Sequence, residues 1–347
     1  MVTMAWRTTS GCLAGVAAVL TIAWAVEGAE APGREAAKAP FKPKSHSVGV
    51  SCICRAPTGS EAETEKLIDT AALDKPDLIV LTEWCMQNAP ASASRQEKDA
   101  RSDPLPEPGP ITRFLARKAK QHQAYIIGSY WRKGPKGHGR FNSSVLFDRQ
   151  GMVVGWYDKT FPTIGEMEDG TLPGHGAVVF DTDFGRIGAL ICFDLNFDEL
   201  LAEYKKLGAQ LLCFSTAYRG GRKVNAAAIQ NQCFIATAVW GENGLIADPL
   251  GRTLAESSAY GPITFARINL DSRVVHIDYN ADRVRRMKEK YGPLVKVDVA
   301  SPEAYYFLSS FHPEKSIGDM IQEFEIETLD AYLDRARAVR QKLLPKE

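Results

Sequence analysis

The sequence has no excess of either charge, because 42 Lys and Arg residues balance 42 Asp and Glu residues. A surface without net charge has no general attraction for nucleic acid or anionic membranes. Histidine is scarce as well, with six scattered residues, and no Cys-x-x-Cys pair occurs. The common zinc-ligand spacings are therefore missing. These absences indicate neither a nucleic-acid partner nor a metal cofactor.

The apolar run Cys12–Val26 is shorter than the roughly 20 residues that a membrane-spanning helix needs. Arg7 precedes the run and small residues follow it, which is typical of a signal peptide. We expect residues 1–31 to be a signal peptide that directs export to the periplasm or out of the cell. An uncleaved N-terminal membrane anchor is the alternative. Residues 32–45 are polar and contain proline, so they read as a linker.

The cysteines give little support for a disulfide framework, although export favours disulfides. Most of them lie inside apolar segments, and Cys52 and Cys54 alternate along one strand and so point to the same side. We expect free thiols rather than disulfides. The cysteines concerned are Cys52, Cys54, Cys85, Cys192, Cys213 and Cys233.

Apolar, strand-like segments alternate with amphipathic, helical segments from residue 46 onward. His46–Cys54 and Asp77–Thr82 are predicted strands, and Ser60–Leu73 is a predicted helix between them. Residues 158–176 are rich in glycine and proline and are predicted to form a long loop, which in a compact domain is usually functional. The alternation predicts an α/β fold.

The C-terminal part of the chain, residues 276–347, is predicted to be an extension that ends in a long amphipathic helix. The helix spans about residues 317–343, and its apolar positions need a surface to pack on. Either the same domain or a second subunit could supply that surface.

Cys192 follows an apolar segment that is predicted to be a buried strand. A cysteine there is either a small hydrophobic residue or a nucleophile, and a thiol with a pKa near 8.5 needs a base or a cation beside it to react. His175 is the nearest histidine in sequence, but it reads as a loop residue. Glu83 ends an apolar strand and Lys159 begins the long loop. Each also has a structural interpretation, Glu83 as a helix cap and Lys159 as a solvated charge.

Glu83, Lys159 and Cys192, in that chain order, resemble the catalytic triad of the nitrilase superfamily of carbon–nitrogen hydrolases. The motifs that carry the resemblance are LTEW at Leu81–Trp84, YDKTFP at Tyr157–Pro162 and GALICFD at Gly188–Asp194. Flanking segments are similar too, and the resemblance covers about residues 46–275. These segments are Asp181–Gly188, Leu207–Leu212, Ala228–Phe234 and Ala247–Arg252. Thr82 before Glu83 and Asp198 after Phe197 depart from the common family pattern, which leaves the substrate open.

The resemblance implies a four-layer α-β-β-α sandwich of the nitrilase type, to which this chain adds its C-terminal helical extension. It implies a homodimer or a higher homo-oligomer and a reaction that needs no cofactor. Cys192 would be the nucleophile, Glu83 the general base, and Lys159 with the backbone N–H of Phe193 would bind the oxyanion. Lys159 is also expected to favour the thiolate form of Cys192. Glu166 or Glu168 would be a second glutamate that positions the substrate.

The activity that the resemblance implies is hydrolysis of a non-peptide C–N bond, in an amide or an N-carbamoyl group of a small molecule. A nitrilase that converts a nitrile to an acid and ammonia is the first alternative. An exported binding protein without activity on the same fold is the second. A nuclease or phosphatase would need clustered Asp, Asn and His residues at strand ends, which the sequence does not offer.

Overall fold

The computed structural model describes residues 47–345 apart from 87–92, 106, 136 and 137. The predicted signal peptide and linker lie outside these residues. Within the described ranges, no helix combines the length and the apolar character that crossing a membrane requires.

The first of two large sheets has six strands in the order β12-β1-β2-β3-β4-β5. The neighbours β1, β2 and β3 run parallel, and the other pairs in this sheet are antiparallel. The strands are β1 (Val48–Ile53), β2 (Leu78–Val80), β3 (Tyr125–Lys133), β4 (Arg140–Phe147), β5 (Val153–Asp158) and β12 (Ile263–Ile268).

The second sheet also has six strands, in the order β11-β10-β9-β8-β7-β6. The central neighbours β7, β8 and β9 are parallel, as β1, β2 and β3 are in the first sheet. The strands are β6 (Val179–Asp181), β7 (Arg186–Ile191), β8 (Leu211–Thr216), β9 (Phe234–Val239), β10 (Leu245–Ala247) and β11 (Thr253–Glu256).

The two sheets pack face to face, and helices cover the outer face of each. The first sheet is covered by α1 (Glu61–Ala71) and α3 (Pro110–His122), whose apolar residues share a core with its outward side chains. The second is covered by α5 (Asp198–Lys206) and α6 (Arg222–Asn231). Two short helices, α2 (Arg95–Ala100) and α4 (Ile164–Glu168), lie in the connections. The predicted four-layer α-β-β-α sandwich is therefore confirmed.

Alternation along β1 decides which residues enter the core between the sheets. Val50 and Cys52 face that core, whereas the hydroxyl of Ser51 turns outward and donates to the carbonyl of Ala71 in α1. This is the period of two that a strand buried on both faces must keep. The six cysteines in the described ranges are free, and Cys192 alone among these six is partly exposed. The structure thus agrees with the prediction of free thiols.

The C-terminal part of the chain contains a sheet that the sequence pattern did not reveal, and this sheet begins a few residues before 276, where the extension was predicted to start. Its strands are β13 (Ser272–His276), β14 (Val295–Ala300) and β15 (Tyr305–Ser310), in the order β13-β15-β14, with α7 (Ala281–Tyr291) between the first two in sequence. The predicted helix over 317–343 is two helices, α8 (Ile317–Glu323) and α9 (Leu329–Leu343). The break follows from Glu325, which has a φ of 53°, and from Thr328, whose hydroxyl caps α9.

The same chain covers α8 and the first turn of α9. Met320 is buried in the core of the extension, and Leu329 joins the core of the sandwich. Asp330 accepts hydrogen bonds from Lys205 in α5 and from Gln232 after α6, both at 2.8 Å. Residues 333–345 are all exposed. The apolar positions of the predicted helix therefore pack on their own chain only up to the start of α9.

Candidate active site

The predicted triad residues meet where strands of the two sheets end. Glu83 lies just beyond β2, Lys159 directly follows β5, and Cys192 directly follows β7. The amine Nζ of Lys159 lies 3.0 Å from Oε1 of Glu83, and the side chain of Glu83 also hydrogen-bonds that of Cys192. The structure thus brings together all three residues that the sequence motifs singled out.

The turn that carries Cys192 has a strained backbone. A short 3₁₀ segment, Cys192–Asn196, begins where β7 ends, and Cys192 has a φ of 48°. This left-handed conformation costs a non-glycine residue on the order of 1–3 kcal/mol, so the surrounding contacts must hold it. The N–H of Phe193 lies at the start of the segment, where backbone donors have no partner within the turn itself. The sharp turn leaves the thiol partly exposed at the end of a buried strand.

Asp194 holds this turn in place, a role that the sequence analysis missed. Its buried carboxylate accepts hydrogen bonds from the N–H groups of Ile191 and Phe161, both at 2.9 Å. The hydroxyl of Tyr157 donates a third bond at 2.9 Å. Burial raises the pKa of this carboxyl to about 7, although the N–H donors act in the opposite direction. Asp194 therefore ties the turn of Cys192 to the segment that carries Lys159.

Glu83 is almost completely buried, with 1% of its surface exposed. Its Oε1 accepts from Lys159 at 3.0 Å and from the side-chain amide of Asn142 at 2.8 Å. Its Oε2 accepts from the backbone N–H of Ala217, just beyond β8, at 3.1 Å. Burial raises the pKa of this carboxyl; the charge of Lys159 opposes that effect and the charge of Glu166 adds to it. A buried carboxyl with a raised pKa is suited to accept and return a proton near neutral pH.

Of the two candidate glutamates, the structure brings Glu166 to Lys159 and leaves Glu168 exposed. Glu166 lies on α4, where it forms a capping box with Thr163, and its Oε2 accepts from Nζ of Lys159 at 2.7 Å. Glu168, one half-turn further along the short helix, is exposed. The loop predicted over residues 158–176 thus contains a helical turn that aims one of its two candidate carboxylates into the site.

The protonation of the site follows from its burial and charges. Burial disfavours the cationic form of Lys159, but Glu83 and Glu166 outweigh it and raise the pKa of the amine. Burial raises the pKa of the Cys192 thiol to about 12, and Glu83 acts in the same direction. Lys159 lowers that pKa, as expected, but does not outweigh them. The expected effect of Lys159 on the thiol is thus present, and burial together with the charge of Glu83 opposes it.

Asn142 and Ser129 are the other site residues that the motifs did not reveal. Both are fully buried, on the neighbouring strands β4 and β3. Buried polar residues in a strand need partners, and the polar run Asn142–Ser144 directly before the apolar residues 145–147 was the available signal. In the described part of the chain, no group of three or more His, Cys, Asp or Glu side chains is placed to hold a metal ion.

Comparison with known proteins agrees with this fold and site. Residues 58–274, more than half of the chain, match the carbon-nitrogen hydrolase family. The chain is 28% identical to the human "Omega-amidase NIT2" over 47% of this chain and 68% of that protein. It is 29% identical to the chloroplastic omega-amidase of Arabidopsis thaliana over 64% of this chain and 67% of that protein.

Solved structures show the same fold. The crystal structure of Saccharomyces cerevisiae Nit3, of the nitrilase superfamily, is similar with a TM-score of 0.59 at 19% identity, over 74% of this chain and 98% of that chain. A crystal structure of an amidase from Nesterenkonia sp. is similar with a TM-score of 0.55 at 21% identity, over 71% of this chain and 97% of that chain.

The chain therefore belongs to the carbon-nitrogen hydrolase family, within the nitrilase superfamily. It is an amidase-like hydrolase. The family and the enzyme class predicted from the three motifs are thus confirmed.

Proposed function

We propose that this protein hydrolyses the amide bond of a small molecule through a thioester on Cys192, with Glu83 as general base and Lys159 as the positive charge at the reacting centre. The observation that carries the proposal is the position of Lys159. Its amine donates to Glu83 and to Glu166, and it interacts electrostatically with Cys192, the partly exposed residue that follows β7. A thiol with a carboxylate that can take its proton and a cation that can stabilise negative charge is able to carry out acyl transfer to sulfur.

In the first half of the reaction, Glu83 takes the proton of the Cys192 thiol as sulfur attacks the carbonyl carbon of the amide. The raised pKa of the thiol means that the proton leaves only during the attack, which makes the general base essential. The tetrahedral intermediate then collapses, the C–N bond breaks, and Glu83 returns the proton to the leaving nitrogen. Ammonia or an amine departs, and the acyl group remains on sulfur.

The oxyanion of the intermediate needs donors, and we assign this role to Lys159 and to the backbone N–H of Phe193. An ammonium group has three N–H donors, and Glu83 and Glu166 engage two of those of Lys159. The third is assigned to the oxyanion, together with the backbone N–H of Phe193. Each well-placed donor stabilises such an intermediate by about 3–4 kcal/mol.

In the second half, water replaces the departed amine. Glu83 takes a proton from the water, the oxygen attacks the thioester carbonyl, and the C–S bond breaks. The carboxylic acid leaves, and the proton on Glu83 returns to the sulfur of Cys192. The overall change is amide plus water to acid plus ammonia or amine.

The substrate class that we propose is a small molecule with a terminal primary amide. The support comes from the relatives named omega-amidases, which are 28% and 29% identical to this chain. Phe161 stacks on Phe197 at 3.7 Å between ring centres, and Phe193, next to Cys192 in the sequence, packs on the edge of the same ring. We assign to these rings the apolar surface that a small acyl group would meet.

The experiment that tests the proposal is a measurement of ammonia release from a panel of terminal amides, N-carbamoyl amino acids and nitriles. We expect release from terminal amides, and none with Cys192→Ala. Cys233→Ala, which removes a buried free thiol away from the site, is the matched control and should retain activity. Turnover confined to nitriles, or turnover that survives Cys192→Ala, would contradict the proposal.

Export and self-association are also part of the proposal. The pattern of residues 1–31 supports a signal peptide. Cleavage would be established if the intact mass of the protein, purified from a host that exports it, lacks the mass of these residues. Association into a homodimer or a higher oligomer rests on the family resemblance, and sedimentation of the purified protein tests it.

A further inference from the structure

Asn142 contacts the three charged residues of the proposed site, Glu83, Glu166 and Lys159. Its side-chain nitrogen donates to Oε1 of Glu83 at 2.8 Å and to Oε1 of Glu166 at 3.3 Å. Its backbone carbonyl accepts the N–H of Lys159 at 2.8 Å. A single residue of β4 thus connects the two carboxylates to each other and to the lysine that they share.

Ser129, on the neighbouring strand β3, completes this arrangement. Its hydroxyl donates to the side-chain oxygen of Asn142 at 2.9 Å, and its carbonyl accepts the N–H of Cys85, two residues beyond Glu83, at 2.8 Å. The backbone carbonyl of Ser129 therefore supports the turn that carries Glu83, and the backbone carbonyl of Asn142 supports Lys159.

The orientation of the Asn142 amide is determined by its neighbours. Ionised carboxylates only accept hydrogen bonds, so the NH₂ group must face Glu83 and Glu166. The oxygen then faces Ser129, whose hydroxyl can donate to it. If the hydroxyl were absent, the buried oxygen would lose its partner, and the amide would be free to turn its oxygen toward the carboxylates.

We propose that Asn142 is a positioning residue of this site, which holds Glu83 and Glu166 at one lysine, and that Ser129 fixes the orientation of its amide. The inference rests on the proposed function, since it concerns the base of that reaction. No motif of the sequence pointed to either residue.

The consequence concerns the proton affinity of Glu83. The titratable groups that face this carboxyl are Lys159, Glu166 and Cys192. Lys159 stabilises its ionised form, whereas Glu166 destabilises it. The side-chain amide of Asn142, which is neutral, donates to both carboxylates and so stabilises the ionised form of Glu83 next to the like charge of Glu166. Without it, Glu83 should hold its proton to higher pH.

The test uses the acid limb of kcat/KM against pH, and the pH dependence of Cys192 alkylation by iodoacetamide as a second readout. Asn142→Leu, which has a similar volume and no donor, should move both midpoints up by about one pH unit, the size expected for one hydrogen bond to a charge. The rate at neutral pH should fall on the order of tenfold for the same reason.

Three serine variants separate positioning from a general effect of mutation. Ser129→Ala should move the midpoint in the same direction, and Ser129→Thr, which keeps the hydroxyl, should restore it. Ser144→Ala is the matched control, because Ser144 lies on β4, the strand that carries Asn142. Its buried hydroxyl has no hydrogen-bond partner among the described residues. It should leave both profiles unchanged.

The two readouts also separate this inference from the proposed function. Amide turnover by the wild type with unchanged profiles in Asn142→Leu and Ser129→Ala would overturn the inference and leave the function standing. An equal shift in Ser144→Ala would overturn it as well. If no amide is turned over, the function fails, and the alkylation profile alone decides the role of Asn142. Should Asn142→Leu fail to fold, the serine variants give the same decision.

Discussion

The carboxylate of Asp194 accepts the backbone N–H of Phe161 at 2.9 Å, across two segments that are 33 residues apart in sequence. One segment carries Cys192 and the other carries Lys159, so this hydrogen bond helps to hold the two residues near each other. The relation explains why a polar residue is buried completely beside the active site. It also makes Asp194 the most sensitive structural position near the thiol.

Replacement of Asp194 should therefore destabilise the protein. In Asp194→Asn the amide nitrogen must face at least one of the three donors, so at least one bond is lost. We expect a loss of about 1–3 kcal/mol in the free energy of unfolding, measured by urea denaturation. Tyr157→Phe, which removes one of the three donors, should cost only about 1 kcal/mol. Equal stabilities of Asp194→Asn and the wild type would contradict the structure.

The effect of Asp194 on stability should also depend on pH. Because the folded pKa is raised to about 7, the stability that this carboxyl contributes is full below its unfolded pKa, near 4, and is lost as the pH rises through 7. The stability difference between the wild type and Asp194→Asn should thus be larger at pH 4 than at pH 8. Urea titrations at the two pH values measure it, and a difference that grows with pH would exclude a raised pKa.

Glu166 and Glu168 provide a matched test of the second glutamate. Glu166→Gln removes the charge that lies 2.7 Å from Lys159, so the lysine should lose its position. We expect kcat/KM for an amide to fall on the order of 100-fold, the effect typical of a misplaced catalytic group. Glu168→Gln alters an exposed side chain and should change kcat/KM by less than about twofold. A reversed order of the two effects would contradict the assignment.

Two leucines of α9 test where the C-terminal extension is packed. Leu329 is 4% exposed and Leu343 is 78% exposed. Leu329→Ala should lower the free energy of unfolding by about 2–3 kcal/mol, whereas Leu343→Ala should change it by less than about 0.5 kcal/mol. Thermal or urea unfolding at two protein concentrations measures both. A concentration-dependent loss in Leu343→Ala would instead place a second subunit against the end of the helix.

The alternation of strand-like and helix-like segments predicted the α/β class because it is a local feature, and the family resemblance of three short motifs implied the sandwich and the site residues. Alternating strands and helices leave periodic patterns, and Glu83, Lys159 and Cys192 each stand at the end of an apolar segment within a recognisable motif. The extension was harder to predict. Its strands β13 and β14 mix buried and exposed residues. The break between α8 and α9 depends on the left-handed backbone of Glu325, which no hydrophobic pattern signals.

The remaining site residues depend on tertiary contacts that a pattern along the chain does not contain. In the sequence, Asn142 is simply a polar residue within a strand. Only the folded chain brings to it the carboxylates of Glu83, after β2, and Glu166, on α4. The sequence favoured Glu166 only narrowly over Glu168, and the capping box of Glu166 with Thr163 on α4 separates the two in the structure. The raised pKa of the Cys192 thiol likewise comes from burial, which outweighs the cation that the sequence correctly placed beside it.

The central claim is that Cys192 carries the acyl group during hydrolysis. Rapid quenching of the enzyme with a terminal amide that it turns over, followed by intact-protein and peptide mass spectrometry, tests this claim most directly. The account predicts a transient acyl mass on the peptide that contains Cys192, which disappears as free acid forms, and no adduct or turnover in Cys192→Ala. Turnover without any acylated enzyme, together with activity in Cys192→Ala, would contradict it.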